Sequence, residues 1–394
     1  AGEYHTSEAS LEVLVPIFGG DYQLPFVRAL DLSGTFRTVD NSLVGNEQVW
    51  STGLRWQLSD AVMLRATRSR NFRAPTLTQL LQPTAVAQTQ SGLDPCDIRN
   101  INSGPNPAIR RANCEAEWAA NPQYGDLGDW INQAQNFSLA EITSGGNPNL
   151  DLELSDTWTF GLIFRPAFIP GLTLAIDRIQ IDIDNGLSAF TNTQFMEACY
   201  DNPERPAAFC NAFSRLPQAE GTTAAGTVVS GRTTTVNAGA IEFRGETYYL
   251  DYDVSEALFP ADLGSLNLSI EATRVEKLLT SVTGTVFTKV DGTVAQPDLT
   301  AKLRLRYSHG PWALSYQAYH LSDAIRAPGA TIENDPAPFL ASNTTHSIST
   351  QYDFGSFLLR AGIDNVTDKG PSYPVFSYGD ILGRRYFLGV SVNF

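Results

Sequence analysis

The chain of 394 residues lacks any long hydrophobic run. No stretch approaches the 18 or more apolar residues that a membrane-spanning helix requires. Charge is also scarce, at 18% of the residues, whereas a soluble globular protein carries about 25%. The net charge of −15 argues against nucleic acid as a partner, because phosphate binding needs a basic surface. This composition fits a β-barrel of the outer membrane and also a secreted all-β enzyme.

Motifs that carry enzymatic or metal chemistry are missing as well. The sequence contains no GxSxG, HExxH or P-loop pattern. Its histidines are scattered along the chain at His5, His309, His320 and His346. We therefore expect no enzymatic activity, no metal site and no cofactor.

The cysteines fall into two close pairs, Cys96 with Cys114 and Cys199 with Cys210. Each pair lies in a long polar segment rich in proline and asparagine, and neither has the CxxC spacing of a zinc site. We expect disulfide bonds within each segment, formed in an oxidising compartment. Free thiols are the alternative.

Alternation of apolar and polar residues is the dominant pattern, and it is clearest in the last strand. Its apolar parity is formed by Tyr386, Leu388, Val390, Val392 and Phe394. The other parity is mostly small or polar. A transmembrane strand between lipid and a polar lumen has this two-residue period, although a soluble sandwich strand can share it. We expect the five apolar residues to act as a barrel assembly signal.

The alternation recurs in about thirteen predicted strands: 7–18, 26–38, 46–58, 60–71, 155–165, 171–184, 238–254, 263–276, 296–308, 311–323, 341–353, 356–366 and 382–394. Runs of about ten residues suit tilted membrane strands. Short turns alternate with long polar segments near 72–155, 185–236, 277–295, 324–340 and 367–381. Long loops at one end and short turns at the other are typical of outer-membrane barrels.

One predicted strand changes its phase. Leu172, Leu174 and Ile176 alternate regularly, but the apolar residues that follow are Ile179, Ile181 and Ile183. A shift of one residue along a strand is what a β-bulge produces. The pattern therefore predicts a bulge around Asp177 and Arg178.

Five segments, taken in order, resemble the TonB-dependent outer-membrane receptors. They are residues 64–77 (LRATRSRNFRAPTL), 146–161 (GNPNLDLELSDTWTFG), 237–245 (NAGAIEFRG), 363–369 (IDNVTDK) and 383–387 (GRRYF). The resemblance implies an all-β fold, a transmembrane antiparallel β-barrel of 22 strands whose lumen is plugged. It also implies import of a scarce nutrient such as a siderophore, oligosaccharide or peptide, with energy from the TonB complex. No segment resembles the plug or its coupling motif.

Strand parity predicts which part of such a barrel the chain supplies. A C-terminus in the periplasm and thirteen strands put residue 1 on the extracellular side, whereas complete bacterial barrels have even strand numbers. We expect residues 1–394 to be the C-terminal part of the barrel, with the N-terminal strands and the plug on a separate chain or missing segment. A further strand within 222–236 would instead give a closed fourteen-stranded barrel.

Three other functions remain open at this stage. A passive porin and a structural barrel of the envelope would share the strand pattern but carry no plug. A secreted β-enzyme would share the composition. The sequence does not identify the transported ligand.

Several polar and aromatic residues are candidates for contacts. Inward parity suggests contact with the plug, or simply a hydrated lumen, for Arg55, Arg65, Arg304, Arg306 and Arg385. Arg68 and Arg70 have outward parity and could bind lipopolysaccharide phosphates, or lie in water above the membrane. The first long loop carries Trp118, Tyr124, Trp130 and Phe137. These aromatic residues predict a ligand-binding surface, or alternatively a small core of the loop itself.

Overall fold

A computed structural model describes residues 3–19, 25–43, 45–254, 263–284 and 286–392. The architecture is a sheet of 17 strands beside a two-stranded sheet. The strands are β1 (Thr6–Phe18), β2 (Ala29–Asn41), β3 (Gly45–Gln57), β4 (Val62–Arg73), β5 (Ala85–Thr89), β6 (Ala140–Ser144), β7 (Glu153–Phe164), β8 (Leu172–Phe190), β9 (Ser214–Arg215), β10 (Val228–Asp253), β11 (Ser265–Ser281), β12 (Thr288–Lys289), β13 (Leu299–His309), β14 (Trp312–Leu321), β15 (Ala324–Ile325), β16 (Phe339–Leu340), β17 (Asn343–Asp353), β18 (Phe357–Asp364) and β19 (Arg385–Val392).

Helices are short and lie between strands. They are α1 (Leu77–Leu81), α2 (Pro107–Ala120), α3 (Asn192–Tyr200) and α4 (Ala207–Cys210), with 3₁₀ turns at Pro122–Tyr124 and Gln133–Gln135. None of the helices in the described ranges is both long and apolar enough to cross a membrane.

The long strands pair antiparallel with their neighbours in chain order. The series runs β1–β2–β3–β4–β7–β8–β10–β11–β13–β14–β17–β18–β19. Within the described ranges, the long-strand pairings of β1 and β19 are with β2 and β18 respectively. The predicted number of strands in a complete barrel stays a prediction.

The two faces of this series differ in chemistry because alternate residues point to opposite sides. One row of register partners is Leu30, Trp56, Leu64, Leu162 and Ile176, and we name that side the apolar face. The adjacent row is Asp31, Arg55, Arg65, Gly161 and Asp177, and we name that side the polar face.

The predicted bulge around Asp177 and Arg178 is wrong. The register of β8 with β7 runs without a shift from Leu174 to Asp184. Its shifts against β10 lie further on, near Asn237 and Gly239. Ile179, Ile181 and Ile183 have the same parity as Asp177 and lie on the polar face, whereas Arg178 has the parity of Ile176 and lies on the apolar face. The apolar residues therefore change from one face of the strand to the other without a bulge.

Long connections gather at one end of the sheet, which we call the loop end. They comprise residues 74–152, 191–227, 282–298, 322–342 and 365–384. The second is shorter than the predicted loop at 185–236, because β8 continues to Phe190 and β10 begins at Val228. The first residues of β10 pair with β6 and β9, so backbone hydrogen bonding between strands continues from the sheet into the loops.

Candidate functional site

Residues 74–152 and 191–227 fold together at the loop end, and we call them the loop module. The two largest clusters of buried hydrophobic residues contain residues of this module. Each of its connections is closed by a disulfide, Cys96–Cys114 in the first and Cys199–Cys210 in the second. The predicted disulfides within the two segments are therefore confirmed.

Local sequence explains where the two main helices of the module begin. Pro107 occupies the first turn of α2, where its fixed φ and missing N–H are tolerated. Thr191 precedes α3 and accepts a hydrogen bond from the Gln194 backbone, while the Gln194 side chain caps the Thr191 backbone. This reciprocal capping box satisfies amide groups that would otherwise be unpaired at the helix start.

The predicted aromatic residues of the first loop lie in different surroundings. Trp118 and Trp130 are 5% and 6% exposed and meet edge to face with ring centroids 4.8 Å apart. Tyr124 packs on Trp118 at 5.2 Å. Phe137 is 63% exposed. The two tryptophans therefore lie in a core that the first loop shares with residues 191–227, and Phe137 is the member of the set whose ring is open to a ligand.

Arg215 is the buried cation at the centre of this core. Its guanidinium donates hydrogen bonds of 2.7 and 2.8 Å to the Asp94 carboxylate and one of 3.1 Å to the Tyr200 hydroxyl. It lies 5.2 Å from the Trp118 ring centroid and 5.4 Å from that of Trp130. Glu117 Oε1 lies 3.4 Å from Arg215 Nε. Aromatic faces attract a cation, so the charge is compensated by two carboxylates and by several rings.

Burial and charge shift the protonation of this cluster. Burial raises the pKa of the Tyr200 phenol, and the opposing attraction of Arg215 is too small to cancel that effect. Burial alone would lower the pKa of Arg215, but Asp94 and other anionic neighbours hold the pKa well above its ordinary value. Tyr200 therefore stays neutral and Arg215 stays charged at neutral pH.

A second buried pair joins the two connections. Arg110 on α2 donates hydrogen bonds of 2.5 and 2.6 Å to Asp201, which follows α3. The Asn113 side chain donates to the backbone carbonyls of Tyr200 and Asn202 at 2.8 and 2.9 Å. These contacts fasten residues 74–152 to residues 191–227, so the loop module is one packed unit.

Two predicted lumen arginines pair with acids on the polar face. Arg55 donates a 2.9 Å hydrogen bond to Asp31 on the neighbouring strand. Arg65 on β4 forms two hydrogen bonds, of 2.9 and 2.7 Å, with Asp177 on β8, although β7 lies between these strands. A Cβ at Gly161 of β7 would lie 2.6 Å from Arg65 Nε, so the absence of a side chain there leaves the path open.

Of the other three predicted lumen arginines, two have no ion pair in the described wall and one has an acidic partner. Arg304 and Arg306 lie on one face of β13, and no ion pair within the described ranges involves them. Arg385 donates hydrogen bonds of 2.9 and 3.0 Å to Asp380, and this contact lowers the pKa of that carboxyl. Plug contact for these five arginines stays a prediction.

A cavity of about 570 Å³ lies at the loop end between the connections 282–298 and 322–342. The carboxylates of Asp298 and Asp323 and the apolar side chains of Ile325 and Phe339 contribute to its wall. Phe339 is 63% exposed. This wall combines acidic and apolar groups, which suits a ligand with donors and a ring.

The apolar residues predicted as an assembly signal are on the surface. Tyr386, Leu388, Val390 and Val392 are 70%, 73%, 59% and 52% exposed. They share one face of β19, which pairs with β18. Phe394 lies outside the described residues. The signalling role stays a prediction.

Sequence reasoning missed the residues that organise the loop module. The sequence assigns no role to Arg215, Asp94 or Tyr200, because a single arginine in a polar loop normally remains in water. The residues near Arg215 were the available signal. Arg215 closely follows Cys210 and Phe213, and a disulfide-closed segment with apolar residues tends to be buried.

The fold and its surfaces define an all-β antiparallel sheet with one apolar and one polar face and a packed loop module at one end. The family model described as TonB dependent receptor-like, beta-barrel matches residues 18–366. The chain therefore belongs to the TonB-dependent receptor family, which comprises transport receptors and not enzymes. No curated protein matches the sequence.

Solved structures with a similar fold are TonB-dependent siderophore receptors and an iron transporter. A mutant of the ferric enterobactin receptor PfeA from Pseudomonas aeruginosa, in complex with enterobactin, has a TM-score of 0.60 and 16% identity over 99% of this chain and 46% of that chain. The siderophore receptor PirA from Acinetobacter baumannii has a TM-score of 0.59 and 13% identity over 99% and 46%. The FrpB iron transporter from Neisseria meningitidis has a TM-score of 0.52 and 11% identity over 98% and 45%. The chain spans less than half of the length of these receptors.

Proposed function

We propose that the chain forms the C-terminal part of the barrel wall of an outer-membrane receptor that imports a scarce nutrient with TonB-coupled energy. The observation that carries this proposal is the continuous antiparallel series with opposite apolar and polar faces, in a chain of the TonB-dependent receptor family. The apolar face suits contact with lipid, and the polar face suits a hydrated lumen.

Its orientation follows from the positions of the connections. Outer-membrane barrels place long loops outside the cell and short turns in the periplasm. In this assignment the loop module and the start of β1 at Thr6 face the exterior, and the last strand runs toward the periplasm. Lipopolysaccharide and other outer-membrane lipid surround the apolar face.

The partners of the wall follow from its edges and its polar face. Unpaired strand edges are not tolerated in lipid, so β1 and β19 require strands from the N-terminal half of the barrel. The plug, supplied with that half, would meet the polar face and provide the contact with the TonB complex. Arg304 and Arg306 suit acidic groups of the plug because no carboxylate of the described wall neutralises them.

The ligand is a small nutrient recognised at the loop end. The exposed ring of Phe137 and the cavity with Asp298, Asp323 and Phe339 offer stacking surfaces beside hydrogen-bond acceptors. Such surfaces suit a sugar, a peptide or an iron chelate. The solved receptors for enterobactin and other siderophores share the fold at low identity, and this similarity leaves the ligand class open.

Uptake measurements test the proposal. A strain without the gene that encodes this chain is grown on a panel of iron and carbon sources, and the affected compound is then used in a transport assay with and without TonB. Loss of transport in both the receptor deletion and the TonB deletion is expected. Transport that continues without TonB would instead favour a passive porin, and no transport defect of any kind would favour a structural barrel of the envelope.

A further inference from the structure

The apolar face becomes charged toward the loop end of β4, β7, β8 and β10. Most of these charges compensate one another. Arg178 contacts Glu246 at 3.1 Å and also pairs with Glu276. Arg244 donates hydrogen bonds of 2.7 and 2.9 Å to Asp182. This charged part of the face is therefore largely neutral by its own ion pairs.

Arg68 and Arg70 on β4 are exceptions. No hydrogen bond or ion pair with either side chain is found in the part of the chain that the structure describes, and Nε of Arg70 is buried without a partner. Asp156 is the register partner of Arg70 on β7, but the two side chains form no ion pair. A buried donor without an acceptor is costly. An anion from outside the described chain would supply the acceptor that Arg70 lacks.

Two tryptophans hold Arg68 beside this donor. The Arg68 guanidinium lies 4.8 Å from the Trp158 ring centroid and 5.5 Å from that of Trp50. Contact with an aromatic ring uses the flat face of a guanidinium, so the N–H groups at its edge remain available. Tryptophans of this kind concentrate at the boundary between lipid and water, which is the level of lipid headgroups.

We propose that Arg68 and Arg70 bind a phosphate group of a glycolipid headgroup in the outer leaflet. A guanidinium matches a phosphate with two parallel charge-assisted hydrogen bonds, and these two arginines are neighbours on one face of β4. The proposal rests on the outer-membrane location proposed above. It adds a specific lipid site to the general contact of the barrel with the membrane.

Asp156 gives the proposal a second, opposite prediction. Its carboxylate shares the face with Arg70 and would repel a phosphate bound there. Arg68→Gln and Arg70→Gln should therefore weaken phosphate binding, whereas Asp156→Asn should strengthen it. Arg244→Gln is the matched control, because Arg244 lies on the same face but already has Asp182 as a partner.

The test uses the complete receptor that contains this chain, in lipid nanodiscs with either phosphorylated or enzymatically dephosphorylated lipid A. Lipid A retained per receptor after detergent extraction, measured by its acyl chains, is the readout. We expect a loss on the order of tenfold for each arginine replaced, higher retention in Asp156→Asn, and no change in Arg244→Gln. Arg68→Lys and Arg70→Lys keep the charge without the planar fork and should retain an intermediate amount.

Several outcomes would overturn the lipid site. They are equal retention of phosphorylated and dephosphorylated lipid A, a loss in Arg244→Gln as large as in the arginine pair, or equal stabilisation of the detergent-solubilised receptor by inorganic phosphate. The mobility of the unheated barrel in gels checks that each variant folds. Failure of the receptor to enter nanodiscs at all would instead contradict its proposed membrane function, so the two failures are distinguishable.

Discussion

Arg215 and Asp94 form a buried ion pair although 121 residues separate them in the chain. Their side chains are 2% and 0% exposed. The pair joins the last part of one connection to the first part of another, within a core lined by Trp118 and Trp130. The loop module thus has a buried ion pair at the centre of an apolar cluster, in addition to the Arg110–Asp201 pair.

Replacing Asp94 with Asn should loosen the loop module and leave the sheet intact. Loss of one partner of a buried ion pair costs about 3–5 kcal/mol, because the remaining charge stays desolvated. We expect faster hydrogen exchange in residues 74–152 and 191–227 with unchanged exchange in β13 and β14. Arg111→Ala is the control, since its pair with Glu115 is exposed. Equal exchange in Asp94→Asn and wild type would contradict a central role for this pair.

Opening the disulfides should make the same module sensitive to protease. The bonds close segments with sequence separations of 18 and 11 residues, and closing a loop of about 15 residues is worth roughly 3 kcal/mol in the chain-entropy model. Cys96→Ser with Cys114→Ser should give cleavage within residues 74–152 at protease levels that leave the wild type intact. Peptide mapping without reduction checks the pairing, and bonds crossed between the two connections would disprove it.

Acid should weaken the module through Asp97. Burial raises the pKa of this carboxyl. Hydrogen bonds from the Arg99 side chain and from the backbone of Arg99 and Asn132 together lower the pKa by more than burial raises it, so the net pKa is below its usual value. A depressed pKa stabilises the folded state above the unfolded value near 4. That stabilisation is lost as the pH falls through the lower folded pKa.

Hydrogen exchange of the loop module measured between about pH 5 and pH 2 tests this dependence. The wild type should lose protection with acid, and Asp97→Asn should show low protection with a smaller slope over the same range. The exposed Asp126, whose side chain accepts a local backbone bond from Gly128, provides a control as Asp126→Asn. An identical slope in Asp97→Asn and wild type would exclude Asp97 as the main titrating group.

A side chain at Gly161 should separate Arg65 from Asp177. A Cβ there would lie 2.2 Å from Asp177 Oδ1 and 2.6 Å from Arg65 Nε, so Gly161→Val forces both groups to move. The ion pair is partly exposed, and its direct contribution is about 0–1 kcal/mol. We therefore expect a small loss of thermal stability, with Gly389→Val as the control because a Cβ at Gly389 meets nothing within 4 Å. A loss in the control as large as in Gly161→Val would refute the steric argument.

Charge reversal on β13 should affect transport more than stability. Arg304 and Arg306 have no ion pair in the described wall, so Arg304→Glu with Arg306→Glu breaks no contact that holds the strand. Uptake of the nutrient should fall several-fold if these arginines meet an acidic partner, while the melting temperature changes little. Arg28→Glu, at an arginine that already has Asp60 as its partner, serves as the control. Unchanged uptake in the β13 variant would leave these arginines without a role in transport.

Local sequence patterns are enough to predict the long strands and the faces that they present. Alternation is a local property, since successive side chains of any strand point to opposite sides. For this reason Leu388 and Val390 could be placed on one apolar surface, and Arg55 and Arg65 on one polar surface, without knowledge of the fold. The close cysteine pairs were predictable for the same reason, because each bond joins residues of one segment.

Other features depend on contacts between distant segments, which the alternation does not contain. The pattern at Ile179 predicts a bulge that the structure does not have, because parity shows only which residues are apolar, and the surroundings of both faces change along β8. The environment of Trp118 and Trp130 was equally undetermined, since a loop aromatic has the same sequence signature in a core and on a binding surface. Arg215 meets Asp94 only because two distant connections fold against each other. Contacts between distant segments depend on the whole chain, so no local pattern in the sequence records them.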